Sequence, residues 1–205
     1  MELEIATPSG PAHADLVVPK GARALLVIGH GAGGGVTAPD VVAAAAAATG
    51  AGAAVARVTQ PYRVAGRKSP APAHQLDEAW LSVIAALSKR KALSSLPLIV
   101  GGRSSGARVA CRTANEANAA GVLCLAFPVH PPGKPESTRL HELDLPAAPV
   151  LVIQGDRDPF GMPPKRRKRT VVVIEGADHG LKKGRELITQ AAAAFVTTIA
   201  EADTV

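Results

Sequence analysis

Gly102-Arg103-Ser104-Ser105-Gly106 follows the apolar run Leu96-Pro97-Leu98-Ile99-Val100 and opens the helix-compatible stretch Ala107-Arg108-Val109-Ala110-Cys111. This order of strand, sharp turn and helix is the context in which a G-x-S-x-G motif holds a nucleophile. The two outer glycines leave room for a tight turn, because a Cβ at either position would collide with the neighbouring strand or helix. The pattern therefore predicts that Ser104 has a strained backbone and presents its hydroxyl at the end of a sheet.

Apolar strands alternate with amphipathic helices along the chain. The predicted strands cover residues 3–7, 15–18, 23–28, 53–58, 96–100, 121–127, 150–154 and 170–174, and the predicted helices cover 39–49, 74–91, 107–118 and 184 onward. Uniformly apolar strands between helices are typical of a mostly parallel sheet covered on both faces. The first two strands are joined by a short turn, which predicts an antiparallel pair at one edge. We expect an α/β fold in a single domain, residues 1–205.

A second glycine-rich stretch, His30-Gly31-Ala32-Gly33-Gly34-Gly35, follows the predicted strand 23–28. Such a stretch lets backbone amides point into a site, so the amides of Ala32 and Ser105 are predicted to hold a developing oxyanion. A phosphate-cradling loop or a flexible turn is the alternative interpretation. The spacing also fits G-x-G-x-x-G, but no acidic residue stands about twenty positions further on at a strand end, which argues against dinucleotide binding.

Two carboxylates follow the predicted strand 150–154, in the stretch Gly155-Asp156-Arg157-Asp158-Pro159. A carboxylate at a strand end can bind the second ring nitrogen of a histidine and stabilise the imidazolium form. Asp158 fits a G-x-x-D loop followed by proline and is preferred, with Asp156 as the alternative. Capping of a turn is the structural role that either aspartate could have instead.

His179 lies in Gly176-Ala177-Asp178-His179-Gly180, after the last predicted strand. The chain order Ser104, Asp158, His179 is one of three orders known for a catalytic triad. Because each of these residues follows a predicted parallel strand, we expect the three side chains to meet at one edge of the sheet.

The segment 127–149 has little room for a lid domain, which predicts an open, shallow pocket without a cap. The candidates for substrate contact are His30, Gly31, Tyr62, Arg103 and His130. Arginines near this edge would favour an anionic substrate, although surface solvation is the simpler role for each of them.

The composition of the chain argues against several other classes of function. Hydrophobic residues make up 47% of the 205 residues, the net charge is +6, and five of the 23 basic residues form the run Lys165-Arg166-Arg167-Lys168-Arg169. The run has no interleaved aromatic residue, so we expect a solvated loop rather than a nucleic-acid site. Cys111 and Cys124 are predicted to be buried free thiols. The pattern contains no signal peptide, membrane-spanning stretch or metal-ligand cluster, so we expect a cytoplasmic protein without cofactor or metal.

These residues together resemble the α/β-hydrolases, and among them the small, capless members that are similar to dienelactone hydrolase. The branch most resembled is that of bacterial hydrolases related to testis-expressed and NSL-complex-subunit proteins. The likeness is carried by residues 29–33, Pro61-Tyr62 with Gly66-Arg67-Lys68 and Pro70, 102–106, 127–135, 155–161 and Asp178-His179. The resemblance covers nearly the whole chain and implies a Ser-Asp-His hydrolase.

These features predict a serine hydrolase of the carboxylesterase type that transfers an acyl group to water. The expected partner is a small-molecule ester, with no nucleic acid or membrane, and the sequence is compatible with a homo-oligomer. The alternative is a catalytically weak or inactive protein that uses the hydrolase fold as a protein-interaction module.

Overall fold

The computed structural model of the protein describes residues 1–202, so residues 203–205 of the predicted domain lie outside the description. The strands are β1 (Glu2–Ile5), β2 (Ala12–Val17), β3 (Ala24–Gly29), β4 (Ala53–Thr59), β5 (Leu98–Arg103), β6 (Gly121–Leu125), β7 (Val150–Gly155) and β8 (Arg169–Ile174). The helices are α1 (Pro39–Gly50), α2 (Pro61–Val64), α3 (Ala73–Ser88), α4 (Ser105–Thr113), α5 (Leu140–Leu143) and α6 (Arg185–Ala202). The short helices α2 and α5 lie in segments that the sequence pattern does not predict as helical.

The eight strands form one sheet in the order β1-β2-β4-β3-β5-β6-β7-β8. The six strands β3 to β8 run parallel to one another, whereas β2 is antiparallel to both β1 and β4. The predicted α/β class and the antiparallel pair at one edge are therefore confirmed. β5 lies in the middle of the parallel strands, so the turn that follows it opens at the centre of the carboxyl edge.

The parallel strands are covered on both faces. Every residue of β3, β6 and β7 is buried. One apolar cluster on the sheet includes the buried faces of α3 and α4, and a second includes those of α1 and α6. Burial on both faces explains why these strands are apolar, Gln154 of β7 excepted, instead of alternating between apolar and polar residues.

Two helices follow the sequence prediction closely. Pro39 is the first residue of α1, where its missing N–H has no intrahelical acceptor to lose. The predicted face of α3 is buried at Leu76, Trp80, Val83 and Leu87. The spacing of apolar residues thus identified the inward face of this helix correctly.

The inward face of α6 differs from the face predicted by spacing. Ile188 and Ile199 are buried as expected, but Ala192 and Val196 are buried between them. The predicted residues Ala191 and Phe195 are only half-buried. The face is displaced by one residue because α6 packs beside α1 as well as on the sheet, and pattern alone does not show a neighbouring helix.

The connection between β6 and β7 is short, as predicted, and α5 is its one helix in the part of the chain that the structure describes. Arg108 of α4 donates two hydrogen bonds to Glu142 of α5, at 2.6 and 2.7 Å. Arg112 of α4 binds Asp77 of α3 in the same two-pronged way, at 2.8 and 2.6 Å. These ion pairs fix α4 to both neighbours, and residues 126–149 leave no room for a cap domain.

The basic run is a solvated loop only in part. Residues 165–168 are exposed, but Arg169 is the first residue of β8 and is 5% exposed. Its guanidinium donates to the Asp144 carboxylate and to the carbonyls of Leu143 and Pro164. The expectation of solvation is wrong for Arg169, because its side chain fastens β8 to the segment that follows α5.

Cys111 of α4 and Cys124 of β6 are buried free thiols, as predicted, with their Sγ atoms 3.6 Å apart. Burial raises the pKa of Cys111 well above its ordinary value, which keeps the thiol protonated and poorly reactive. In residues 1–202, no helix has the length and apolar character that crossing a bilayer requires.

Candidate active site

The turn after β5 has the strained geometry that the sequence predicts. Ser104 has φ 51° and ψ −109°, a positive-φ conformation that is costly for any residue with a side chain. Its amide donates to the Leu125 carbonyl of β6 at 2.9 Å, which ties the turn to the sheet. A Cβ on Gly102 would lie 2.6 Å from the Gly106 carbonyl oxygen, so the turn can close only around glycine.

Ser104, His179 and Asp158 form a continuous hydrogen-bonded chain. His179 Nε2 lies 2.9 Å from Ser104 Oγ, and His179 Nδ1 lies 2.8 Å from Asp158 Oδ2. Because the carboxylate can only accept, Nδ1 carries the ring proton and Nε2 is free to accept the serine proton. The Asp158 side chain is fully buried and the His179 side chain is 18% exposed, so only the serine end of the chain faces the surface.

The Asp158 carboxylate is held by two further donors. Gln154 Nε2 donates to Oδ2 at 2.8 Å, and the Phe160 amide donates to Oδ1 at 2.8 Å. Gln154 is completely buried and also donates to the Phe127 and Gly161 carbonyls. Asp156, the alternative acid, is exposed to solvent. The geometry therefore favours Asp158 as the partner of His179.

Two contacts fix the loop that carries His179. The Phe160 ring packs edge-on against the imidazole, with ring centroids 4.3 Å apart and an interplanar angle of 62°. Arg103 Nη2 donates to the His179 carbonyl oxygen at 2.8 Å. Arg103 Nε also donates to the Asp40 carboxylate at 2.9 Å, and the Asp40 side chain is 1% exposed. Burial raises the pKa of Asp40, while the charge of Arg103 opposes that rise.

Three residues of this arrangement are not predicted by the sequence pattern: Asp40, Gln154 and Phe160. Asp40 binds Arg103, Gln154 binds Asp158, and Phe160 packs against His179. An acid in the first turn of a helix and a glutamine inside an apolar strand are common for local reasons, so no motif marks them. Gln154 carried the clearest available signal, because a lone amide in a buried strand needs hydrogen-bond partners.

The two amides expected to bind an oxyanion are free of backbone acceptors. The Ala32 amide has no hydrogen-bond partner within residues 1–202. Ser105 is the first residue of α4, where an N–H has no intrahelical acceptor. A Cβ on Gly31 would come 3.6 Å from the Ser104 Cβ, so the glycine-rich loop passes directly beside the nucleophile turn.

His30 and Tyr62 hold that loop from behind. His30 is 3% exposed; its Nε2 accepts from the Gln60 amide at 3.1 Å, so its Nδ1 donates to the Gly31 carbonyl at 2.8 Å. Burial lowers the pKa of His30, which agrees with a neutral ring. Tyr62 Oη donates to the Ala32 carbonyl at 2.8 Å. The polar atoms of both side chains are thus used within the protein, and their contact with a substrate remains a prediction.

The other two polar candidates for substrate contact are also bound within the protein. Arg103 spans Asp40 and the His179 carbonyl, as described above. His130 is half-buried; its Nδ1 bonds the Pro131 carbonyl at 3.0 Å, and its amide donates to the Phe160 carbonyl at 3.2 Å. These contacts give both side chains partners within the protein, with His130 beside the loop that carries Asp158, and their contact with a substrate remains a prediction. Within residues 1–202, no cluster of three or more His, Cys, Asp or Glu side chains is placed to hold a metal ion.

Solved structures of similar fold come from several bacteria. XC6422 from Xanthomonas campestris, described as an α/β serine hydrolase without lid, is 21% identical, with a TM-score of 0.79 over 97% of this chain and 94% of that one. Est1E from Butyrivibrio proteoclasticus, solved with ferulic acid bound, is 19% identical, with a TM-score of 0.77 over 94% and 97%. Dienelactone hydrolase from Anabaena variabilis is 19% identical, with a TM-score of 0.75 over 95% and 94%.

These identities are low, so the structural likeness establishes the fold alone. No curated protein matches the sequence. A family model described as an alpha/beta hydrolase domain does match it, over residues 22–203, which is most of the chain. The chain therefore belongs to the alpha/beta hydrolase family.

Proposed function

We propose that the protein is a serine hydrolase that cleaves carboxylic esters, with Ser104 as nucleophile, His179 as general base and Asp158 as the acid that orients it. The observation that carries this proposal is the hydrogen-bonded chain from Ser104 Oγ to His179 to Asp158, at 2.9 and 2.8 Å. A serine hydroxyl is a weak nucleophile at neutral pH and needs a base in this position.

In the first step, Ser104 Oγ attacks the ester carbonyl while His179 Nε2 takes the hydroxyl proton. The imidazolium that forms is stabilised by the buried Asp158 carboxylate. The carbonyl oxygen becomes an oxyanion, which the amides of Ala32 and Ser105 bind. Collapse of the tetrahedral intermediate returns the proton from His179 to the departing alcohol and leaves an acyl-serine.

In the second step, a water molecule occupies the place of the departed alcohol. His179 removes a proton from the water as it attacks the acyl-serine, and the same two amides bind the second oxyanion. The acid product then leaves, and Ser104 recovers its proton from His179. The absence of a cap over residues 126–149 supports a substrate with a short or exposed acyl group.

The choice of an ester rests on analogy as well as geometry. Among proteins of this fold are Est1E, solved with ferulic acid bound, and a dienelactone hydrolase, both about 19% identical to this chain. The stretches at 61–70 and 127–135 further support a place in the branch related to testis-expressed and NSL-complex-subunit proteins. The two free thiols fit a reducing compartment, and we propose the cytoplasm.

Labelling with a fluorophosphonate probe tests the proposal directly, since such probes react with activated serines. We expect wild-type protein to be labelled and to hydrolyse para-nitrophenyl butyrate. The Ser104→Ala variant should lose labelling and at least about 10³-fold in kcat, because the nucleophile is gone while the fold remains. Thermal unfolding of both proteins controls for folding.

The neighbouring hydroxyl supplies a matched control. Ser105 contributes only its backbone amide to the proposed site, so Ser105→Ala should retain labelling and most of the wild-type rate. Wild-type rates in Ser104→Ala would overturn the mechanism. An unlabelled, inactive wild-type protein would instead favour the hydrolase fold serving as a protein-interaction module.

A further inference from the structure

A depression of about 500 Å³ is formed by α2, the segment that follows it and the first turn of α3, on the carboxyl side of β4. Its wall is built from residues 67–72, with Tyr62 and Gln75 closing it. Tyr62 also donates to the Ala32 carbonyl at 2.8 Å, so the depression and the glycine-rich loop share one side chain. The depression is therefore joined to the glycine-rich loop through Tyr62.

Positive charge is concentrated in this wall. Arg67 and Lys68 line the depression, and Arg63 lies one turn earlier in the same segment. Among the described residues, no carboxylate lines the depression. None of their carboxylates forms an ion pair with Arg63, Arg67 or Lys68. Asp77, an acid on the adjoining α3, is already bound to Arg112 at 2.6 and 2.8 Å. The charge of the wall is thus left for a ligand.

The backbone that carries the cations is held in a defined turn. Gly66 has φ +76°, which permits the chain to reverse there. The Arg67 amide donates to the Tyr62 carbonyl at 2.9 Å, and Arg63 Nη1 donates to the Arg67 carbonyl at 3.1 Å. A fixed turn reduces the ordering cost of binding, since the side chains but not the backbone remain to be ordered.

The sheet order sets the distance between the end of β4, from which this segment continues, and the end of β5, which the nucleophile follows. β4 is separated from β5 by β3 alone, and neighbouring strands lie about 4.8 Å apart, which places the two strand ends about 10 Å apart. The positive charge of Arg63, which precedes the wall in sequence, also reaches the glycine-rich loop, because after burial it contributes to the lowered pKa of His30.

We infer that the depression formed by Tyr62, residues 67–72 and Gln75 is a subsite for an anionic group of the substrate, at a distance from the ester carbonyl. Arginine and lysine together bind the oxygens of such a group by charge-assisted hydrogen bonds. This inference rests on the proposed function, because it names the class of ester that the same site takes: one with a second, negatively charged end.

Paired esters test the subsite with a carboxylate as the probe. Mono-para-nitrophenyl suberate and para-nitrophenyl octanoate differ by one terminal carboxylate on the acyl side. The butyrate esters of hydroxyoctanoate and of octanol differ in the same way on the alcohol side. For each pair the readout is the ratio of kcat/KM for the anionic ester to kcat/KM for the neutral ester.

The double variant Arg67→Gln, Lys68→Gln should lower this ratio about tenfold for at least one pair, the loss expected for a charged hydrogen bond at a partly exposed site. Lys165→Gln, Arg167→Gln is the matched control. It removes two exposed cations from the loop before β8, at the opposite edge of the sheet, and should keep both ratios at the wild-type value.

The outcomes separate this inference from the proposed function. Ratios that are equal in the two double variants, for both pairs, would overturn the subsite while leaving the esterase intact. A wild-type protein that cleaves none of the four esters nor para-nitrophenyl butyrate, and is not labelled by the fluorophosphonate probe, would overturn the proposed function itself. Added salt should lower the wild-type ratio and leave that of Arg67→Gln, Lys68→Gln nearly constant, because salt screens exposed charges.

Discussion

Arg103 and Asp40 form an ion pair, with Nε 2.9 Å from Oδ2, that links the nucleophile turn to the first turn of α1. The same guanidinium donates to the His179 carbonyl at 2.8 Å. One side chain thus joins three segments that are far apart in sequence. Because Asp40 is almost completely buried, the position of the His179 loop depends on a charge pair that solvent scarcely screens.

The first prediction concerns this pair. Arg103→Met leaves the Asp40 carboxylate buried without its partner, which typically costs about 3–5 kcal/mol of unfolding free energy. It also removes the donor to the His179 carbonyl, so we expect kcat to fall by about 10–10² as the imidazole loses its fixed position. Urea unfolding and the kcat for para-nitrophenyl butyrate measure the two effects.

The double variant Arg103→Met, Asp40→Asn separates charge burial from positioning. Removal of both charges should restore most of the unfolding free energy, because no uncompensated carboxylate remains. It should not restore kcat, since the His179 carbonyl still lacks its donor. Recovery of kcat together with stability would show that Arg103 only stabilises the fold.

The second prediction distinguishes the two candidate acids. Asp158→Asn keeps the shape of the side chain, but a neutral amide cannot hold the Nδ1–H form of His179 by hydrogen bonding as a carboxylate does. We therefore expect kcat to fall by about 10⁴. Asp156→Asn changes an exposed residue two positions away and should stay within about twofold of wild type. A larger loss in Asp156→Asn than in Asp158→Asn, measured with the same ester, would reverse the assignment.

The third prediction concerns the glycines of the site. A Cβ on Gly102 would lie 2.6 Å from the Gly106 oxygen and 2.8 Å from the Ala107 nitrogen, both rigid backbone atoms. Gly102→Ala should therefore lower the free energy of unfolding by about 3 kcal/mol or more, or prevent folding. Gly33→Ala meets no atom within 4 Å and should change it by less than about 1 kcal/mol. Equal unfolding midpoints in urea would contradict a close-packed turn.

The strands of the sheet could be predicted because their own composition indicates that they are buried. The run at 121–127 is uniformly apolar, and the run at 150–154 is apolar up to Gln154, a pattern typical of strands buried on both faces. The ends of the strands were harder to predict. β5 extends to Arg103, since the backbones of Gly101 and Gly102 continue to pair with β3 and β6 after the apolar run ends. The order of the strands depends on long-range packing, so no local pattern contains it.

The candidate site, too, could be predicted from the sequence only in part. Ser104, Asp158 and His179 were identifiable because each follows a parallel strand and parallel strands end at one edge. The supporting contacts were not, because Arg103 meets Asp40 across 63 residues and a pattern within a few positions cannot contain such a pair. The polar atoms of Arg103, His30 and Tyr62 bind the protein itself, which sequence position alone does not reveal.

The last prediction is a pH dependence that arises from His30. Burial lowers its pKa below the usual 6.5, and Nε2 already accepts from the Gln60 amide, so a second ring proton would face another N–H. Above about pH 6.5 the ring is neutral in both the folded and the unfolded chain and contributes no pH dependence. Below that pH, His30 binds a proton more readily in the unfolded chain than in the folded chain. The free energy of unfolding should therefore fall with decreasing pH, by at most about 1.4 kcal/mol per pH unit.

Urea unfolding between about pH 7.5 and pH 5 measures this effect. His30→Gln removes the titrating ring, so the variant should show a shallower loss of stability than wild type across that window. His74→Gln removes an exposed histidine from α3 and should follow the wild-type curve. Parallel curves for wild type and His30→Gln would mean that the ring gains its proton as readily in the folded chain as in the unfolded one. In that case the Gln60 amide could not be what keeps His30 neutral behind the glycine-rich loop.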